Sequence, residues 1–196
     1  SEPLRSAIKQ RKGVDNLQKE ELYSLRRQAR SNVIMSKKIF AVGDIHGCYE
    51  KLVAMMKILP WNKDNGDVLL FIGDYVDRGP QSRDVVEYLV RLKKRGGTTV
   101  FLKGNHEKML LDYYIKQQDQ MLYVANGGGE TIASYVEGGI GRKAFVLPED
   151  HLEFLLSLSL YYESDDYIFV HAGLRDGIPL DKQVEDDLLW IREEFI

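Results

Sequence analysis

Four short apolar runs, each closing on a polar turn that contains glycine, organise this chain. Ile39-Phe40-Ala41-Val42 ends in Gly43-Asp44-Ile45-His46-Gly47, and Val68-Leu69-Leu70-Phe71-Ile72 ends in Gly73-Asp74-Tyr75-Val76-Asp77-Arg78-Gly79. Thr98-Thr99-Val100-Phe101-Leu102 runs into Lys103-Gly104-Asn105-His106-Glu107, and Tyr167-Ile168-Phe169-Val170 into His171-Ala172-Gly173-Leu174. Runs of this length, rich in β-branched and aromatic residues and bounded by turns, read as buried strands.

Helical spacing fills the intervals. Leu52 to Leu59 reads as a helix stopped at Pro60, and Gln81 to about Arg95 as one that buries Val85, Val86, Leu89, Val90 and Leu92 before Gly96-Gly97. A third follows through Met109, Leu110, Tyr113 and Tyr114. Three successive strand, turn and helix units predict an α/β fold with parallel strands and right-handed crossovers, so the polar turns share one edge. Ligands of open α/β sheets bind at that edge.

The middle of the chain is less regular. Asn126-Gly127-Gly128-Gly129-Glu130-Thr131 lacks the Gly-Lys-Ser/Thr ending of a phosphate-cradling loop and reads as a flexible turn capping a short helix from Thr131 to Val136. Gly138-Gly139-Ile140-Gly141 marks another turn, and Pro148-Glu149-Asp150 opens a helix ending near Leu158. Tyr161-Tyr162-Glu163 and Tyr167 to Val170, joined by Ser164-Asp165-Asp166, form a hairpin pattern.

Composition adds limits. With 44% hydrophobic and 29% charged residues, 196 residues suffice for one ordinary domain with a full core. No apolar run approaches a membrane span, and no charged-then-apolar leader pattern opens the sequence. The single cysteine, Cys48, rules out an internal disulfide and reads as a small side chain filling a tight turn. The expectation is a soluble, cytoplasmic protein with no membrane partner. Ten of the 27 Lys/Arg but only four of the 30 Asp/Glu fall within residues 1–38, which places a basic arm on an acidic body. Residues 1–34 read as that arm, helical and appended, with Met35 as an internal start and 35–196 as the domain. A solvated basic face is the simpler account of the arm, and nucleic acid is not the expected partner.

The polar residues at the four strand ends define the chemistry. Asp74 and Asp77, with Arg78 beside them, are costly to crowd together unless a cation and an anion balance them. Carboxylate, imidazole and amide oxygen without thiolate suit moderately hard divalent ions such as manganese or iron, and argue against a structural cysteine-rich zinc site. Asp44 and His46 can grip one ion, Asn105 and His171 a second, with Asp74 bridging. Two such ions sharing a hydroxide form a clamp for in-line displacement at phosphorus, with Arg78 holding two phosphate oxygens. His106 then protonates the leaving alkoxide while Asp77 orients its ring. His151, in Pro-Glu-Asp-His, has no such setting and reads as structural.

These four motifs, in order and spacing, resemble those of the calcineurin-like metallophosphoesterases over about residues 38 to 192, and the Asp-Arg-Gly form resembles the phosphoprotein phosphatase branch, in particular its small bacterial and phage members. The resemblance implies a β-sandwich flanked by helices, built from βαβ units, with a dimetal centre. One metal then takes Asp44, His46 and Asp74, and the second Asp74, Asn105 and His171. Manganese is the first candidate, with iron or zinc as alternatives. Arg78 and Asn105 hold the substrate phosphate, Arg192 in Leu-Leu-Trp-Ile-Arg resembles a second phosphate-binding arginine, and His106 with Asp77 supplies the acid. The family also draws a histidine for the second metal from a Gly-His motif further along. The sequence stops at Ile196 before one, so the expectation is a domain incomplete at its C-terminal end, with a weakened second site.

The expected activity is metal-dependent hydrolysis of phosphomonoesters, phosphoserine and phosphothreonine in proteins first. A dinucleoside tetraphosphate hydrolase is the alternative within the superfamily, because Gly-Pro-Gln-Ser after Asp-Arg and His-Ala-Gly-Leu fit both groups. An alternative of another class is a non-catalytic metal-binding fragment whose basic arm recruits an anionic partner.

Overall fold

The computed structural model describes residues 37–136 and 145–192. The expected helical arm (1–34), Met35, the turn at 138–141 and the apolar C-terminal end at 193–196 lie outside the described residues.

Strands β1 (Ile39–Val42), β2 (Val68–Phe71) and β3 (Thr98–Phe101) form a parallel sheet in that order. The register runs from Ile39 opposite Val68 opposite Thr98 to Val42 opposite Phe71 opposite Phe101, so the three strands end level. All four residues of the central strand are buried, as expected of a parallel strand covered on both faces. Parallel neighbours need crossovers, which α1 (Tyr49–Ile58) and α2 (Ser82–Lys94) supply.

Helix α2 is the most clearly amphipathic. Val85, Val86, Leu89, Val90 and Leu92 are buried, whereas Arg91, Lys93 and Lys94 crowd its last turn, where cations oppose the helix dipole favourably. Each buried side chain of this kind contributes about 1.5–3 kcal/mol. Helix α1 begins at Tyr49, three residues before the apolar pattern at Leu52, because Leu52 N–H already bonds to Cys48 C=O across the turn.

Helix α3 (Asn105–Lys116) starts directly from the third polar turn and ends at Gln117, which takes a left-handed backbone. The short helices α4 (Gln120–Tyr123) and α5 (Gly129–Tyr135) are joined by a π-turn, Val124–Gly128. Helix α6 (Glu149–Leu156) brings Phe154 against Phe101, which stacks on Phe71 at 5.3 Å. Tyr75 closes this layer, fully buried, its hydroxyl donating to Leu102 C=O at 2.6 Å.

After α6 the chain returns alongside β3, where Lys103 N–H donates to Ser159 C=O (2.8 Å) and Ser159 N–H to Phe101 C=O (3.1 Å). It then forms the expected hairpin, β4 (Tyr161–Glu163) antiparallel to β5 (Ile168–Val170). A final short helix, α7 (Glu185–Trp190), buries Leu188 and Leu189. The architecture is mixed α/β with a parallel sheet and flanking helices, as the motif spacing predicts. No helix among the described residues is long and apolar enough to cross a membrane.

Candidate metal and phosphate site

The four polar turns meet at one edge of the sheet. Ile45 and His46 N–H groups both donate to Asp74 C=O at 2.9 Å, and the His171 ring reaches Ile72 C=O at 2.9 Å, which ties the end of β5 to the end of β2. His46, Asp74, Asp77 and Arg78 have φ of 44°, 53°, 71° and 65°. Left-handed backbone at residues with a Cβ costs on the order of 1–3 kcal/mol each and persists only where the surroundings enforce it.

Glu107 does much of the enforcing. Its carboxylate, fully buried, accepts the backbone N–H groups of Asp74 (2.8 Å), Tyr75 (2.7 Å), Val76 (3.3 Å) and Gly104 (2.9 Å). Burial, and then the charge of Asp74, push its carboxyl up to about 7, against the pull of those donors. The turns also interlock. A Cβ on Gly104 would lie 2.1 Å from Asp74 Oδ1, and one on Gly73, with φ 106°, 2.5 Å from Gly104 N.

Backbone carbonyls set the imidazoles. His46 Nδ1 donates to Val76 C=O and His171 Nδ1 to Ile72 C=O, both at 2.9 Å, so each Nε2 faces Asp74 Oδ2, at 3.5 Å. Asp44, exposed, lies 3.9 Å from His46 Nε2. Donor atoms of His46, Asp74 and His106, and of Asp44, Asp74 and His171, fall within 4.8 Å of one another. These groups cut across the expected division of ligands, and Asp74 belongs to both.

The donor set fits divalent cations. Asn105 Oδ1 stands 2.9 Å from His171 Nε2, two acceptors face to face. Turning the amide over lets it donate to His171 Nε2 (2.9 Å) and both Asp74 oxygens (3.3 Å), whereas a cation between the lone pairs satisfies the first orientation. Asp44, His46, Asp74, Asn105 and His171 could therefore hold metal.

Arg78 lies across the cluster, exposed, donating to His46 Nε2 (2.9 Å) and His106 Nε2 (3.0 Å). His106 Nδ1 in turn donates to Asp77 Oδ2 at 2.7 Å, both side chains fully buried. Asp77 Oδ1 accepts from Tyr123 Oη (2.8 Å) and Thr131 Oγ1 (2.7 Å), and Asp77 N–H reaches Thr131 Oγ1 (2.8 Å) and Ser82 Oγ (3.1 Å). Burial and the Asp77 charge hold the Tyr123 hydroxyl firmly protonated.

The glycine run 126–131 is thus a packed turn into a helix. Gly127, at φ 97°, gives its carbonyl to Arg78 N–H (3.1 Å), and a Cβ there would come within 2.9 Å of Arg78 N and Cγ. The expected turn into a short helix is present, and its packing on Arg78 is a contact that a pattern of glycines alone does not reveal. Glu107, Tyr123, Thr131 and Ser82 are contributors that the motif reading leaves unassigned. A signal existed for Glu107 as the fourth residue of Gly104-Asn105-His106-Glu107, the capping-box position for a helix start.

Two other predicted residues stand apart. Arg192, exposed, donates to Ile191 C=O (3.3 Å) rather than to the cluster. His151 is buried between Tyr135 Oη and Glu87, both at 2.9 Å, a packing role.

A family model described as calcineurin-like phosphoesterase matches residues 37–194. Serine/threonine-protein phosphatase 2 of Salmonella typhimurium is 31% identical over 181 residues, covering 87% of this chain and 75% of the relative. The asymmetrical bis(5'-nucleosyl)-tetraphosphatase PrpE of a Geobacillus species is 32% identical over 152 residues, covering 70% of this chain and 58% of the relative. A solved structure described as a candidate diadenosine tetraphosphatase superposes with a TM-score of 0.58 at 26% identity, covering 81% of this chain and 60% of that one. The chain thus spans somewhat over half the length of these asymmetrical tetraphosphatase relatives.

Proposed function

This chain belongs to the calcineurin-like phosphoesterase family, and on that premise we propose that it hydrolyses phosphomonoesters, with phosphoserine and phosphothreonine in proteins as its substrates. The observation that carries the proposal is Arg78, whose exposed guanidinium spans His46 and His106 at 2.9 and 3.0 Å directly over the ligand cluster. An anion receptor beside a cation site is what a phosphate ester requires.

In this reading Asp44, His46, Asp74, Asn105 and His171 hold divalent ions, manganese first, with iron or zinc as alternatives. Bound there, such ions lower the pKa of a water and screen the phosphate oxygens. Arg78 turns its planar fork to two phosphate oxygens, and the Asn105 amide donates to a third. Once Arg78 engages phosphate, His106 Nε2 is released to carry a proton to the leaving alkoxide, while Nδ1 stays hydrogen-bonded to Asp77, which holds the ring in place.

A second reading is supported by the tetraphosphatase relatives, which match at identities similar to that of the protein phosphatase, 30% and 32% against 31%. It keeps the same cluster and changes the ester cleaved. Manganese-dependent turnover of a phosphoserine peptide, compared with diadenosine tetraphosphate, separates the two. The proposal expects the peptide to be the better substrate, and preference for the dinucleotide would overturn it in favour of the second reading.

A further inference from the structure

We infer that Thr131 and Tyr123 are positioning residues for the proton donor, acting through the carboxylate of Asp77. The inference rests on the proposed hydrolysis, in which His106 protonates the leaving group, and assigns a purpose to residues 120–135, which no motif covers.

Asp77 needs external restraint. It is fully buried, its backbone is left-handed, and its two oxygens have different work. Oδ2 accepts from His106 Nδ1 at 2.7 Å, and any rotation of the carboxylate moves that contact. Against Oδ1 stand two hydroxyls, Tyr123 Oη at 2.8 Å and Thr131 Oγ1 at 2.7 Å. Thr131 Oγ1 also accepts the N–H of Asp77 at 2.8 Å, so one hydroxyl grips both the backbone and the side chain of the same residue. Both hydroxyls belong to residues that are themselves buried, in helices α4 and α5. The π-turn between these helices gives Gly127 C=O to Arg78 N–H, so the segment folds over the Asp77–Arg78 pair.

Thr131 and the backbone can be separated experimentally. Ser82 Oγ lies 3.1 Å from Asp77 N and so keeps a partner there when Thr131 loses its hydroxyl. Thr131→Val therefore loosens the carboxylate while leaving the turn bonded. Tyr123→Phe removes the other donor and retains the aromatic packing of Tyr113 on Tyr123, centroids 4.9 Å apart.

The test uses leaving groups. A serine alkoxide needs a proton as the P–O bond breaks, whereas p-nitrophenolate leaves without one. With manganese, kcat for a phosphoserine peptide is expected to fall about 10- to 30-fold in Thr131→Val and in Tyr123→Phe, and kcat for p-nitrophenyl phosphate by no more than about threefold, with KM unchanged. Thr131→Ser, which keeps the hydroxyl, restores the peptide rate. Equal losses on both substrates, or no loss on the peptide, would overturn the inference while the wild type remains active. Should Thr131→Val fail to fold by circular dichroism, Tyr123→Phe decides between the same outcomes. A wild-type protein that turns over neither substrate overturns the proposed function and this inference together.

Discussion

Glu107 accepts the backbone N–H of Asp74 at 2.8 Å, across 33 positions of sequence, and so fixes the residue on which the whole cluster converges. The same carboxylate takes three further N–H groups, and all four donors lie in turns with little alternative bonding. Glu107→Gln substitutes an amide donor for one of the two accepting oxygens and sets N–H against N–H. It should destabilise the fold by about 2–4 kcal/mol in urea denaturation, since each buried group left unsatisfied costs about 1–3 kcal/mol. A loss below about 0.5 kcal/mol would contradict the role given to Glu107.

Gly104→Ala addresses the site more directly. Its Cβ would fall 2.1 Å from Asp74 Oδ1, so the carboxylate must move. Manganese affinity measured calorimetrically should drop about 10- to 100-fold, the range found when groups supporting a metal ligand are lost. Unchanged affinity would mean that Asp74 is not a ligand.

Removal of metal should be reversible and independent of thiol chemistry. Dialysis against a chelator is expected to abolish phosphate release and manganese to restore it, in the wild type and in Cys48→Ser alike, because the cluster contains no thiolate. Activity surviving the chelator would count against the metal reading.

His151 offers a control for structure without chemistry. Its ring joins Tyr135 to Glu87, and the Glu87 carboxyl is held below its ordinary value of 4.5, first by this hydrogen bond. A depressed carboxyl contributes stability above its unfolded value and loses it as the pH falls through the lowered folded one. The stability difference between wild type and Glu87→Gln should therefore be present at pH 7 and fade as the pH drops below 4.5, with kcat unaltered at neutral pH. A pH-independent difference would remove the electrostatic account.

The legible part of this site is the part carried by local pattern. Asp44, His46, Asp74, Asn105 and His171 each interrupt or end an apolar strand, and parallel strands that end level must bring such residues together. Supporting contacts were not legible for a physical reason. Thr131 and Tyr123 reach Asp77 across 54 and 46 positions, from a stretch that none of the four strand-end motifs covers. The glycine at 127 was visible, but the constraint on it comes from Arg78, a partner that only the tertiary fold brings near. Apolar spacing puts the start of α1 at Leu52, three residues after Tyr49, because a turn hydrogen bond rather than a buried side chain opens that helix.

If Asp74 holds metal and His106 supplies the proton, as proposed, hydrolysis of a phosphate ester depends on both. Phosphate release from a phosphoserine peptide with manganese tests it most directly, in wild type, Asp74→Asn and His106→Asn. The account predicts clear turnover by the wild type and loss of at least about 100-fold in each variant. Turnover at the wild-type rate in either variant would contradict it.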